Sequence, residues 1–208
     1  MKRILCFGDS NTWGYIPGSA HKRYNEDERW TKLLQKKLTG FEVIEEGLNS
    51  RTLFTVEQKP GKEGKMGYNY FLPCIDTHDK FDILIFMLGT NELKNSFNNS
   101  AEDIFNMFKK FVDYAINYRS KTDGLPVRLI VCGLPPVKNN PNLNESDDEF
   151  YNTSEKCYLV SSLYKDYCKI NSIDFVDNTD LITGIDGVHL TRESHKILAE
   201  KLFNVITK

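Results

Sequence analysis

"RILCFGDSNTWGY", residues 3 to 15, decides which architecture the rest of the chain must satisfy. Ile4 to Phe7 is continuously apolar rather than alternating, as befits a strand covered on both faces, and Gly8-Asp9 ends it in a turn. Ser10 therefore leaves the carboxyl end of a buried strand. Its hydroxyl suits an attacking group or the cap of a following helix equally well, and the local sequence fits both.

Further runs of the same kind occur at "EVIEE" (42 to 46), "DILIFMLG" (82 to 89), "VRLIVCGL" (127 to 134) and "IDFVDN" (173 to 178). Between them lie segments with helical spacing. After Ser100, a suitable N-cap, Ile104, Phe105, Phe108, Phe111, Val112, Ala115 and Ile116 fall on one stripe. Other helices are expected from about 26 to 38, from 154 to 171 and from 192 to 206. Strands alternating with helices predict an α/β fold: a parallel sheet with right-handed crossovers and helices on both faces. In such sheets ligands bind beyond the carboxyl ends of the strands. The residues leaving those ends are Asp9-Ser10-Asn11, Gly47 to Arg51, Gly89 to Glu92 and Pro135-Pro136. The polar stretch 138–152 that follows reads as a loop or lid.

A chain of 208 residues has room for a single domain with a real core. With 40% hydrophobic and 27% charged residues it is neither disordered nor fibrous. The net charge of −2, with the two signs interleaved, leaves no basic face for nucleic acid. Five widely spaced cysteines without a C-x-x-C pair read as reduced thiols, which predicts a cytoplasmic location. The apolar run after Met1-Lys2-Arg3 is too short for a signal peptide, and no stretch is long enough to span a bilayer.

A serine becomes a nucleophile only when a base takes its proton, and that base is usually a histidine oriented by a carboxylate. Of four histidines, His21 lies in a polar loop without an obvious partner. His78, between Asp76 and Asp79, leads into the amino end of the third strand, away from the ligand edge. His195 sits in the charged helical run "TRESHKILAEK" and reads as a solvated or boundary side chain. His189, in "GIDGVHLT", stands three residues after Asp186, so a turn through Gly187 would fold the carboxylate onto one ring nitrogen and leave the other for Ser10. Taken alone, D-x-x-H is more simply a polar turn capping the last helix, with Thr191 as N-cap. Acyl transfer also needs donors aimed at the developing oxyanion. Asn91, just beyond the third strand, offers a side-chain amide, although an Asn there could equally cap a helix. The backbone N–H of Ser10 and one from the loop "GLNSRT" would complete the set.

"GDSN", "EEGLNSRT", "GTNE" and "DGVH" follow the order of the four sequence blocks of the SGNH (GDSL-type) hydrolases, and the chain resembles that family over essentially its whole length. "RILCFGDSNTWGY", "VIEEGLNSRT" and "MLGTNELK" look most like its bacterial arylesterase and acyltransferase branch. The resemblance implies a flavodoxin-like three-layer α/β/α sandwich, a five-stranded sheet of order 2-1-3-4-5, and no cofactor. Carried over position by position, it makes Ser10 the nucleophile, His189 the base and then acid, Asp186 its orienting partner, and Asn91 an oxyanion donor. Ser50 occupies the place where many members carry glycine as a backbone oxyanion donor. Asn11 replaces the leucine of the family name and is expected to leave the nucleophile untouched. The branch resemblance also suggests a homo-oligomer.

Trp13, Tyr15 and Phe97 are candidates to wall a substrate pocket, with Pro135, Pro136 and the loop 138–152 at its rim; aromatics so placed are more often core. Arg51 suits a carboxylate of the fold as well as an acidic substrate. The expected function is a serine esterase acting on small to medium acyl esters without metal. Alternatives are an acyltransferase or perhydrolase using the same acyl-enzyme, and a non-catalytic flavodoxin-like binding module. The last is disfavoured because neither a G-x-G-x-x-G turn nor a Walker A loop is present, and the absence of H-E-x-x-H disfavours a metal hydrolase.

Overall fold

The computed structural model describes residues 1–208. Five parallel strands, β1 (Lys2–Gly8), β2 (Phe41–Gly47), β3 (Ile83–Met87), β4 (Arg128–Cys132) and β5 (Asp174–Val176), form one sheet in the order β2-β1-β3-β4-β5. This is the order that the motif resemblance implies. Alternate side chains of the central strands divide between two cores. Leu5, Phe7, Leu84, Phe86, Leu129 and Val131 face one side, where α3 (Gly67–Thr77), α4 (Ala101–Asn117) and α5 (Ser154–Ile170) cover them. Ile4, Cys6, Ile83, Ile85, Ile130 and Cys132 face the other, under α2 (Trp30–Lys37) and α6 (Arg192–Ile206). Burial on both faces is why these strands read as unbroken apolar runs.

The stripe on α4 packs as its spacing predicts: Ile104, Phe108, Phe111, Val112 and Ala115 are buried, with Phe105 and Ile116 at its margin. Ser100 and Asp103 close a reciprocal capping box at its start. Two helices differ from the sequence reading. The expected start of α2 near Glu26 is a turn, and the helix begins only at Trp30. α3 has no counterpart among the expected elements. It carries Pro73 in its interior, which ordinarily disfavours a helix by about 3 kcal/mol, and burial of Phe71, Cys74 and Ile75 on one side offsets that cost.

Gly8 and Gly47 lie opposite each other where β1 and β2 end. Neither site has room for a side chain: a Cβ on Gly8 would lie 2.5 Å from Met87 O, and one on Gly47 would lie 2.7 Å from the Trp13 Cα. These two glycines let the chain leaving β1 pass close over the ends of its neighbours. No helix is long and apolar enough to cross a membrane.

Candidate active site

Ser10 opens α1 (Ser10–Trp13), a single turn directly after β1 that ends at Gly14 in the left-handed conformation. Asp9 caps this turn, its Oδ1 accepting from the Asn11 N–H at 2.9 Å. Burial pushes the Asp9 carboxyl up to about 6, against the opposing pull of that hydrogen bond and of nearby His189.

The segment before α6 is folded back by an antiparallel bridge between Thr183 and Leu190, and Gly187 turns it at φ 73°. Asp186 gathers four N–H groups. Its Oδ1 accepts from the backbone of Val188 (3.1 Å) and His189 (3.0 Å), and its Oδ2 accepts from the Gly18 N–H (2.9 Å) and His189 Nδ1 (2.8 Å). Burial alone would raise this carboxyl. The His189 ring and backbone donors hold it well below the usual carboxylate range instead. An ionised carboxylate can only accept, so Nδ1 carries the imidazole proton and Nε2 is left as an acceptor. Nε2 lies 2.9 Å from Ser10 Oγ. Tyr15 stacks on the imidazole at 4.3 Å between ring centroids and limits its rotation. Thr191 also caps α6, accepting from the Ser194 N–H. Both readings of D-x-x-H therefore hold at once, one for the turn and one for the ring.

The turn after β1 and the segment before α6 are joined by a side chain to which the sequence reading gave no such role. Asn11, fully buried, donates from Nδ2 to Val188 O (3.3 Å) and accepts at Oδ1 from the Leu190 N–H (2.9 Å), bracketing His189 on both sides. Beyond the expectation that Asn11 leaves the nucleophile untouched, the residue fixes the backbone that carries the imidazole.

Ser50 and Asn91 come to the same place from β2 and β3. Ser50 adopts φ 63°, the left-handed region that explains a glycine preference at this position. Its N–H has no hydrogen-bond acceptor in the protein. Asn91 donates one Nδ2 hydrogen to Arg51 O at 3.0 Å, which fixes the amide plane and leaves the second hydrogen to point elsewhere. Arg51 pairs with neither a carboxylate of the fold nor the cleft. It is buried, donates to Gly8 O (2.9 Å) and to Glu46 O, and lies over the Phe7 ring. Glu92, also fully buried, accepts at Oε1 from the backbone N–H groups of Leu53 (2.6 Å), Phe54 (3.0 Å) and Thr55 (3.2 Å). The motif side chains thus pin one another's loops.

Ser10, Ser50, Asn91, Asp186, His189 and Tyr15 all line one cleft of about 490 Å³. Asn140, Leu143 and Asp147 to Phe150 form one of its walls, which places the 138–152 loop at the cleft as expected. Trp13 and Phe97 do not line it. The guanidinium of Arg23 covers Trp13, and the ammonium of Lys94 lies 5.6 Å from the Phe97 ring. Pro135 and Pro136 are also away from the cleft. His21 lies on its margin, and His78 pairs with Glu46 at 2.7 Å rather than with its flanking aspartates. The expectation of a solvated or boundary His195 is overturned: the residue is completely buried, its Nδ1 accepts from the Trp30 N–H at the start of α2, and Tyr24 packs edge-on against it.

The family model described as GDSL-like Lipase/Acylhydrolase matches residues 4–202. Among solved structures, the native M. smegmatis aryl esterase is 31% identical with a TM-score of 0.89, the alignment covering 100% of this chain and 99% of that one. Est24, a carbohydrate acetylesterase from Sinorhizobium meliloti, is likewise 31% identical with a TM-score of 0.90 and the same coverage. Among curated proteins, none matches the chain.

Proposed function

Because the chain belongs to the GDSL-like lipase/acylhydrolase family, and is therefore a carboxylic ester hydrolase, we propose that it cleaves small to medium acyl esters through an acyl-enzyme on Ser10. One observation carries this reading: the unbroken line Asp186–His189–Ser10, at 2.8 and 2.9 Å, in a cleft that also holds Ser50 and Asn91.

In this mechanism Ser10 Oγ attacks the ester carbonyl while His189 Nε2 takes its proton. Asp186 holds the tautomer that makes Nε2 basic and stabilises the imidazolium that forms. The negative charge on the tetrahedral oxygen falls to the N–H groups of Ser10 and Ser50 and to the free Nδ2 hydrogen of Asn91, donors whose positions are set before the reaction and need no reorganisation. His189 then returns its proton to the leaving alcohol. Water, deprotonated by the same Nε2, attacks the acyl carbon and releases the acid. The cleft wall supports hydrolysis over transfer to an alcohol. Of its 20 lining residues only Tyr15, Leu143, Phe150 and Val188 are apolar, whereas retention of an acyl group against water calls for a dry mouth.

The test is hydrolysis of p-nitrophenyl acetate and butyrate by the purified protein, with intact-mass detection of the acylated enzyme. We expect turnover that EDTA leaves unaffected, that falls on acidification as the imidazole protonates, and that Ser10→Ala abolishes together with the mass adduct. Wild-type rates in Ser10→Ala would overturn the assignment.

A further inference from the structure

The cleft contains cationic groups that the proposed mechanism does not use. Lys62 reaches over the loop after β2 and donates from Nζ to Ser50 Oγ at 2.5 Å, on the very residue whose N–H is offered to the oxyanion. Lys65 lines the same wall. Neither ammonium has a carboxylate partner, in a protein where most buried and half-buried charges are paired.

The acids of the cleft are committed elsewhere. Glu149 pairs with Lys94 and Lys59, and Glu57 takes the other side of Lys94 at 2.9 Å. Asp148 accepts from the backbone of Asn140 (2.8 Å) and Phe150 (2.9 Å). Asp186 is spent on His189. Asp147 lies at the exposed outer edge, where it accepts only from Ser146 Oγ at 3.4 Å. Lys62 and Lys65 thus stand on the wall beside Ser50 with no carboxylate in contact, while the acids of the cleft are held by other groups. An ammonium carries three donors, and Lys62 uses one on Ser50, so two remain for a group that enters the cleft. Partial burial and repulsion from Lys94 lower the Lys62 pKa, and the attraction of Glu57 and Glu149, neither of them in contact with it, offsets this only in part.

Resting on the acyl-ester reading above, we propose that Lys62, backed by Lys65, selects ester substrates that carry a carboxylate close to the scissile bond. The side chain acts by binding: it meets the substrate anion in ground state and transition state alike. Its signature is therefore a preference between substrates rather than a general gain in rate.

The experiment compares kcat/KM within two matched pairs. Mono-(4-nitrophenyl) glutarate against 4-nitrophenyl valerate places the anion on the acyl side, and 4-acetoxybenzoate against its methyl ester places it on the alcohol side. In Lys62→Gln the anionic-to-neutral ratio is expected to fall about tenfold in one pair, mostly through KM, as befits loss of a charge-assisted hydrogen bond. Lys62→Arg should restore most of it. The wild-type ratio should also shrink in about 0.5 M salt, a readout that needs no variant to fold. Ratios that Lys62→Gln and salt leave unchanged in both pairs would overturn the proposal, as would equal slowing of anionic and neutral esters. A Ser10-dependent enzyme with flat ratios sinks only this inference, whereas turnover that survives Ser10→Ala sinks the reading beneath it.

Discussion

His189 and His195 stand six residues apart on either side of the start of α6, and the fold gives them opposite environments. His189 has a carboxylate on one nitrogen, a hydroxyl on the other and a cleft in front of it. His195 is sealed between α2 and α6, with Nδ1 taking the Trp30 N–H and Nε2 without a partner. Burial lowers its pKa to about 3, so it stays neutral where an ordinary imidazole would charge. In the proposed mechanism one ring exchanges protons, and the other is placed where gaining one is unfavourable. Residue type alone does not separate these roles; the partner on the second nitrogen does.

The contrast can be broken most decisively at the proposed base. His189→Ala is expected to lower kcat on the order of 10⁴-fold, whereas His195→Leu, assayed on the folded fraction, should leave kcat within a few-fold; the reverse ranking would end the contrast. A second test concerns acid stability. The folded pKa of His195 lies below the 6.5 of the free side chain, so its contribution to stability is fully present above about 6.5 and is lost as pH falls toward about 3. The loss amounts to at most about 5 kcal/mol. Urea midpoints measured across this range should slope downward on acidification in the wild type and flatten in His195→Leu.

Asp9 sharpens the comparison because it works in the same pH range with the opposite sign. Its folded pKa of about 6 lies above the 3.8 of the free side chain. Its contribution is therefore fully present below about 3.8 and is lost as pH rises through about 6, a cost of up to about 3 kcal/mol at neutral pH. Asp9→Asn, which can keep the acceptor for the Asn11 N–H, should raise the urea midpoint above pH 6 and do little at pH 4. Unchanged midpoints at both values would remove Asp9 from the account. The smallest effect is expected from Asn11→Ala. Loss of the bracket around His189 should reduce kcat about tenfold to a hundredfold with KM nearly constant. A change confined to thermal stability would make Asn11 a fold residue only.

The central strands were legible because burial on both faces leaves unbroken apolar runs, whereas the edge strand β2 buries only Val43. Ser10, Asp186 and His189 were singled out through the order of the four motif blocks, since each local pattern also reads as a helix cap. The obscured parts share a cause. α3 was hidden because Pro73 and Gly67 carry local signals against a helix, which tertiary burial overrides. His195 was misread because charged neighbours on α6 suggested an outer face, although the residue itself turns inward. Asn11 and Glu92 act on backbone groups of distant segments. A main-chain partner has no side-chain identity, so no residue pattern advertises the contact.

The bracket that Asn11 throws around His189 has a consequence for the order of events during synthesis. Residues 11 and 188–190 are separated by 177 to 179 positions, and chains emerge from the ribosome amino end first. On the proposed mechanism, a ribosome that has not yet reached residue 189 carries a chain unable to assemble the site, however well its early strands have paired.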